Sequence, residues 1–156
     1  MERQASSSST PAESSCAAMA VIDTNVALDW LVFNDPIGRR LQVALESGRL
    51  RWLATEAMRD EMAHVLARGL DPRWEADEAR WRQAWERWSL LSVPPVVGLT
   101  TPRCRDPDDQ KFIDLAVAHR ARWLLTRDRA VLKLARRLAT FGVDVVTPDR
   151  CAALDV

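Results

Sequence analysis

Long apolar runs are missing from this sequence of 156 residues, which has none near the ~18 residues of a membrane-spanning helix. The sequence therefore predicts no membrane span. Excess charge of either sign is missing as well, since 22 Lys and Arg residues balance 22 Asp and Glu residues. A net charge of zero excludes a basic protein that binds nucleic acid through bulk charge, so any such contact must use a local patch.

Glycine and cysteine are also scarce. The chain has only five glycines, and no two of them lie close enough to form a phosphate-binding loop. A dinucleotide-binding fingerprint and a P-loop are therefore absent. Cys16, Cys104 and Cys151 are odd in number and widely spaced, which fits neither a zinc site nor a disulfide framework. We therefore expect a protein of a reducing, cytoplasmic compartment.

The length and composition predict one globular domain, because 156 residues are enough for a single core and 47% of them are apolar. Residues 1–18 are expected to form a disordered tail, since the segment Ser6–Pro11 (SSSSTP) cannot bury apolar surface. The domain itself is predicted over residues 19–156. Met19 directly precedes the first apolar segment, which makes it a candidate for the true start of the protein.

Short apolar segments alternate with helical patterns along this domain. Strands are predicted at Ala20–Ile22, Leu50–Leu53, Trp123–Thr126 and Val143–Val146, with a weak strand or extended link at 96–97. Helices are predicted over Val26–Phe33, Pro36–Ser47, Thr55–Gly69 and Arg129–Thr140, from Asp106 onward, and from Pro72 through a stripe of Trp74, Trp81, Trp85 and Trp88. The tryptophan stripe is expected to pack in the core or at an interface rather than to stack on bases. The alternation predicts an α/β fold, specifically a three-layer α/β/α sandwich with a central parallel sheet.

Four acidic side chains are predicted to meet at one edge of this sheet. Asp23 ends the first strand and Asp128 follows a later one, and ligands of open parallel sheets bind beyond these carboxyl ends. Asp109 lies in the first turn of a helix, on the stripe that faces the sheet. Glu61 lies on the helix that follows the second strand.

Such a cluster of carboxylates would be unstable without a counter-charge. Two carboxylates ~5 Å apart repel by about 3 kcal/mol, so the cluster must take up protons or bind a cation. Oxygen ligands favour a hard divalent ion, Mg²⁺ or Mn²⁺. Such ions activate water and stabilise the charge on a phosphodiester, which is the chemistry of a nuclease.

Four segments of the sequence resemble one protein family. Val21–Val26 (VIDTNV) is similar to the opening of a PIN domain, and Arg105–Phe112 (RDPDDQKF) resembles the Asp-Pro-Asp-Asp segment of its toxin-like bacterial branch. Leu124–Arg129 (LLTRDR) resembles the fourth motif of the family, and Glu61–Leu66 (EMAHVL) resembles the second. The resemblance covers about residues 19–150.

The resemblance implies a Mg²⁺- or Mn²⁺-dependent endoribonuclease that cleaves single-stranded RNA and leaves a 5′-phosphate. It also implies the toxin of a toxin–antitoxin pair, with a cognate antitoxin as partner, and a homodimer. By this resemblance Asp23 and Asp109 are the principal metal ligands, and Asp128 and Glu61 complete the catalytic acids. Asp128 is also expected to bind the metal. The supporting polar residues are Asn25 and Thr126.

The assignment within the Asp-Pro-Asp-Asp segment stays open. Its spacing favours Asp109 as the third acid, with Asp106 as a helix cap and Asp108 solvated. If Asp106 faces the metal instead, the assignment shifts by one turn of helix.

The acids also have structural alternatives. Asp23 and Asp128 can serve as helix caps, Asp109 can complement a helix N-terminus, and a glutamate such as Glu61 usually lies on a solvated helix face. Arginines that flank the acids are candidates for phosphate contacts, with ordinary surface arginines as the alternative. They are Arg103, Arg105, Arg127 and Arg129.

Two other functions remain open. A phosphatase of the haloacid-dehalogenase type needs an acid two residues after its nucleophilic aspartate, and Asn25 at that position argues against it. A non-catalytic PIN-like module that binds nucleic acid or protein is the second alternative, and the four intact acids argue against it.

Overall fold

The computed structural model describes residues 17–69, 76–95 and 101–155. Its strands are β1 (Ala18–Ile22), β2 (Leu50–Ala54), β3 (Ser89–Leu91), β4 (Trp123–Leu125) and β5 (Asp144–Val146). Its α-helices are α1 (Thr24–Leu31), α2 (Pro36–Glu46), α3 (Glu56–Ala67), α4 (Glu78–Trp88), α5 (Gln110–Ala118), α6 (Arg129–Leu132) and α7 (Ala135–Ala139). Single 3₁₀ turns lie at Pro107–Asp109, Pro148–Arg150 and Ala152–Leu154. Most of the predicted tail, Pro72, Trp74 and the link at 96–97 lie outside the described residues.

All five described strands run parallel, in the order β3-β2-β1-β4-β5. Helices cover both faces of this sheet, which confirms the predicted three-layer α/β/α sandwich. None of the described helices is long and apolar enough to cross a membrane.

The sheet is the centre of the core. Ala20 and Val21 of β1 and Leu124 and Leu125 of β4 are fully buried. Continuous apolar strands of this kind are typical of a parallel sheet that helices cover on both sides. This explains why the sequence patterns of β1 and β4 predicted buried strands correctly.

Tryptophans pack one side of the core. Trp30 lies edge-on to Trp52 with ring centroids 5.6 Å apart, and Trp52 lies 4.2 Å from Trp85. Trp81 and Trp85 are buried, and Trp88 packs against Trp30 at 5.6 Å. For its described members, the tryptophan stripe of α4 therefore packs in the core, as predicted.

Caps set the beginnings of several helices. The Asp35 side chain accepts a hydrogen bond from the Ile37 N–H at 2.9 Å, directly before the proline that opens α2. Thr55 caps α3 by accepting from the Met58 N–H at 3.4 Å. Both bonds satisfy N–H groups that have no partner within the helix.

Two elements differ from the sequence-based prediction. The edge strand β3 follows α4 without a loop, although the sequence predicts no strand there, because three residues carry too little alternation to indicate one. The single helix predicted over Arg129–Thr140 is wrong, since the chain forms α6 and α7 instead. The Leu134 N–H bonds to the Val131 carbonyl three residues back, and the Leu134 backbone (φ −89°, ψ 1°) departs from α-helical geometry.

The strand order reverses at the carboxyl ends of β1 and β4, and we call the space beyond these two ends the crevice. The chain moves outward from β1 through β2 to β3, and then returns to the other side of β1 to form β4 and β5. Ile22 is paired with Leu125 at the ends of the two central strands. Open α/β sheets bind their ligands at such a reversal of strand order.

Candidate metal centre

Asp23 directly follows β1, at the end of the strand that faces this crevice. Its backbone N–H donates to the Leu125 carbonyl at 2.9 Å, which extends the pairing of β1 and β4 by one residue. The side chain is only 4% exposed and makes no capping hydrogen bond to α1. The helix-cap alternative therefore does not account for this buried acid.

Thr126 holds the Asp23 carboxylate in place. Its hydroxyl donates to Asp23 Oδ2 at 2.7 Å and accepts from the Asp128 N–H at 3.0 Å. The hydroxyl has one proton, so the two bonds together fix its orientation. Fully buried Thr126 thus connects the ends of β1 and β4, as expected of a supporting residue.

Asp128 has two roles in the geometry. One carboxylate oxygen, Oδ1, accepts from the Ala130 N–H at 2.8 Å and caps α6. The side chain also belongs to a group with Asp106 and Asp109, in which one oxygen from each residue lies within 4.8 Å of the others. The sequence allows Asp128 both to cap a helix and to join an acidic cluster, and the structure shows the cap and the group.

Asp109 lies at the end of the Pro107–Asp109 turn, directly before α5. Its Oδ2 atom is buried and has no hydrogen-bond partner among the described residues. An unpartnered buried oxygen is costly unless a proton or a cation satisfies it.

Asp106 takes part in two arrangements of this segment. Its Oδ1 atom accepts from the Asp108 N–H at 3.0 Å, so Asp106 caps the turn as predicted. It also shares the acidic group with Asp109 and Asp128. Both Asp106 and Asp109 therefore belong to the group, and the choice of Asp109 as the third acid stays a prediction.

The electrostatics follow from this crowding. Burial, a hydrogen bond with Asp128 and repulsion from Asp23, Asp128 and Asp106 raise the pKa of Asp109 from 3.8 to about 7. Burial also raises the pKa of Asp23, with smaller contributions from the charges of Asp128 and Glu61, against the lowering effect of the Thr126 hydroxyl. Asp109 therefore keeps a proton near neutral pH unless a cation replaces it.

The donor set fits a hard divalent cation. Three carboxylates supply only oxygen ligands, and one of their buried oxygens has no protein donor. Mg²⁺ and Mn²⁺ prefer such ligands. Asp23 lies outside the group of three, but it is close enough to repel the charge on Asp109.

The comparison with known families agrees with this geometry. A family model described as PIN domain matches residues 19–130. The chain belongs to the PIN domain family. The matched segment includes Asp23, Glu61, Asp109 and Asp128. Among curated proteins, none matches the chain. PIN domains are generally metal-dependent nucleases, so membership indicates a hydrolase that acts on nucleic acid.

Glu61 of this PIN domain lies beside the acidic group rather than in it. Its Oε2 atom accepts from the Thr24 hydroxyl at 2.5 Å, and its Oε1 atom accepts from the Lys111 ammonium at 2.6 Å. Both carboxylate oxygens thus have donors. The Glu61 side chain is 30% exposed. It is therefore only partly solvated, whereas the alternative interpretation predicted a solvated helix face.

Asn25 connects the start of α1 to the segment after β4. Its Oδ1 atom accepts from the Arg127 N–H at 3.4 Å. The Arg127 guanidinium donates to Asp29 at 2.6 Å and lies 3.9 Å from Asp35. Asn25 is therefore placed to support the crevice, whereas the Arg127 guanidinium is already engaged by protein carboxylates.

The other flanking arginines are exposed. Arg103, Arg105 and Arg129 make no ion pair with any other described residue. Their role as phosphate contacts stays a prediction.

Sequence reasoning gave no role to Lys111, and it left open whether Asp106 faces the metal or only caps the helix. A compositional signal could have identified Lys111, because Lys111 and Lys133 are the only lysines beside 20 arginines.

Proposed function

We propose that this PIN domain is a Mg²⁺- or Mn²⁺-dependent endoribonuclease that cleaves single-stranded RNA. The observation that carries the proposal is the acidic group of Asp106, Asp109 and Asp128, whose oxygens lie within 4.8 Å of one another beside the buried oxygen of Asp109. Family membership supports the nuclease chemistry. The choice of RNA and of Mg²⁺ or Mn²⁺ rests on the family motifs and on the oxygen ligands.

The acidic side chains have different roles at the proposed metal site. Asp109 and Asp128 would hold the ion, with Asp106 as a third ligand and Asp23 beside them. When bound, a divalent ion supplies an activated water and stabilises the charge of the phosphodiester during attack. Asp109 must give up its proton before it can serve as a ligand, since its pKa of about 7 leaves it largely protonated in mildly acidic solution.

The supporting residues keep the acids in place. The Thr126 hydroxyl, directly after β4, orients the Asp23 carboxylate, and the N–H of Asp128 fixes that hydroxyl in turn. Groups that orient ligands in this way matter for metal affinity nearly as much as the ligands themselves. Arg103, Arg105 and Arg129 are the proposed contacts to the phosphates on either side of the scissile bond.

We further propose that the protein is the toxin of a toxin–antitoxin pair, that it forms a homodimer and that it acts in the cytoplasm. The resemblance to the toxin-like branch supports the first two proposals. Exposed apolar side chains on the edge strand β3, Leu90 and Leu91, support a surface for a partner. Light scattering of the purified chain tests the dimer, and growth arrest upon expression tests the toxin activity.

The decisive test uses circular substrates, which have no ends. Wild type should linearise a circular single-stranded RNA when Mg²⁺ or Mn²⁺ is present and not when EDTA is added, and it should leave circular single-stranded DNA intact. D23N and D109N should lose this activity, because each removes a negative charge from the site. D108N is the matched control, since it removes the same charge from an exposed neighbour outside the acidic group.

Two results would refute the proposal. RNA cleavage that continues in EDTA would exclude a metal-dependent reaction. Wild-type rates for both D23N and D109N would show that the crevice is not the active site.

A further inference from the structure

Lys111 forms an ion pair at the rim of the acidic group. Its Nζ atom lies 2.6 Å from Glu61 Oε1 and donates to the Asp108 carbonyl at 2.9 Å. About a third of each side chain of the pair is exposed. The backbone contact fixes the ammonium group at one end of α5, so the pair joins α3 to α5 across 50 residues of sequence.

The other oxygen of Glu61 is also occupied. The Thr24 hydroxyl donates to Glu61 Oε2 at 2.5 Å, from the residue that directly follows Asp23. Glu61 thus has a donor for each carboxylate oxygen, whereas the Asp109 Oδ2 atom has none among the described residues. The negative charge of Glu61 also helps to raise the pKa of Asp23, because it repels the ionised Asp23 carboxylate.

Two kinds of partner can therefore satisfy Glu61 Oε1, the Lys111 ammonium group or a divalent ion. With Lys111 present, the carboxylate is neutralised and held by α5. Without Lys111, one oxygen of Glu61 would lose its donor beside an acidic group that attracts cations, and a divalent ion is the partner that oxygen ligands prefer.

We propose that Lys111 is a positioning residue that holds Glu61 away from the metal and so limits the acidic site to one divalent ion. This inference rests on the metal-dependent function proposed above. It assigns Glu61 to the support of the site rather than to metal binding. Lys111 sets the number of ions through that contact.

Measurements of Mn²⁺ binding test this inference without any substrate. Calorimetry and the electron paramagnetic resonance signal of free Mn²⁺ give the number of ions bound and their affinity. Wild type should bind one ion and K111M should bind a second, because a nearby positive charge is removed and Glu61 is released. A K111M variant that still binds only one ion, at any affinity, would refute the limit. K111R, which keeps the charge and can still donate to Glu61, should behave as wild type.

Two controls separate the release of Glu61 from a general effect of charge. K133M removes the same charge from an exposed lysine on the turn after α6, and it should match wild type. The double variant K111M/E61Q should lose the gain, because the released carboxylate is no longer present. E61Q alone should bind the single ion with an affinity within about threefold of wild type. The variant removes a nearby negative charge but no metal ligand.

The outcomes distinguish the two proposals. If wild type binds no Mn²⁺, the metal-dependent function fails and this inference fails with it. If wild type binds Mn²⁺ but K111M matches K133M, or if K111M/E61Q keeps the full gain, only the role of Lys111 is refuted. Should K111M not fold, E61Q decides, because a loss of affinity as large as that of D109N would make Glu61 a ligand and overturn the inference.

Discussion

Replacement of Asp109 by asparagine should stabilise the metal-free protein at pH 8. The folded environment raises the pKa of this carboxyl from 3.8 to about 7, through burial, a hydrogen bond with Asp128 and repulsion from neighbouring acids. A group whose pKa rises upon folding binds its proton more tightly in the folded state. The folded state is therefore destabilised as the pH rises from about 4 to about 7, and the asparagine side chain does not titrate.

The size of the effect follows from the pKa. A rise of about 3 units corresponds to about 4 kcal/mol if the group were fully shielded from water. Asp109 is only half-buried, so screening by solvent reduces the expected gain to about 1–2 kcal/mol. The introduced amide can also donate to Asp128. For a chain of this length, the gain corresponds to a rise in Tm of about 2–8 °C.

Thermal unfolding in EDTA at pH 8 and at pH 4 checks this prediction. D109N should exceed wild type in Tm at pH 8 and approach it at pH 4, where Asp109 is protonated in the folded wild type. D108N, which removes an exposed charge from the adjacent position, should change Tm by much less. A Tm of D109N below that of D108N at pH 8, or the same gain at both pH values, would contradict the reasoning.

Three further predictions follow from the same geometry. The affinity for Mg²⁺ should rise by about tenfold per pH unit below pH 7 and level off above it, because the ion must displace the proton of Asp109. Calorimetry in buffers of different ionisation enthalpy measures the proton release. An affinity that does not depend on pH would contradict this prediction. T126V should cost about 1–3 kcal/mol in urea denaturation, because the buried Asp23 carboxylate loses its donor, whereas T126S keeps the hydroxyl and most of the stability. G38A should cost about 1–3 kcal/mol, because a Cβ atom there would lie 2.6 Å from the Trp30 Cα atom; a higher Tm, as for an ordinary glycine within a helix, would show that α1 and α2 can separate freely.

The sheet and its acids could be predicted because the relevant signals are local. The apolar segment before Asp23 and the one before Thr126 are each long enough to indicate a buried strand, and an acid follows each of them closely. Parallel strands bring such ends to one edge of the sheet, so the sequence alone predicts that Asp23 and Asp128 lie at the same edge. The first turn of a helix likewise placed Asp109 toward the sheet.

The ion pair of Glu61 could not be predicted in this way. Glu61 and Lys111 lie 50 residues apart, on helices that meet only in the folded protein. Spacing along one helix reports on neighbours three and four residues away and not on contacts between helices. The double role of Asp106 could not be predicted for a similar reason. Its cap involves only neighbouring residues, whereas its place in the acidic group depends on Asp128, which follows β4.

The edge strand β3 illustrates a limit of periodicity. Its three residues join the sheet through their register with β2, where Leu53 is paired with Leu90. That pairing is a property of the fold, and the segment itself shows no alternation from which a strand could be predicted.

A crystal of the wild-type protein soaked in Mn²⁺ tests the central claim most directly. The anomalous signal of manganese locates the ion without reference to activity. A peak is expected in the crevice, at about 2 Å from Asp109 Oδ2 and in contact with a carboxylate oxygen of Asp128. A strong manganese peak elsewhere on the protein, with none beside Asp109, would contradict it.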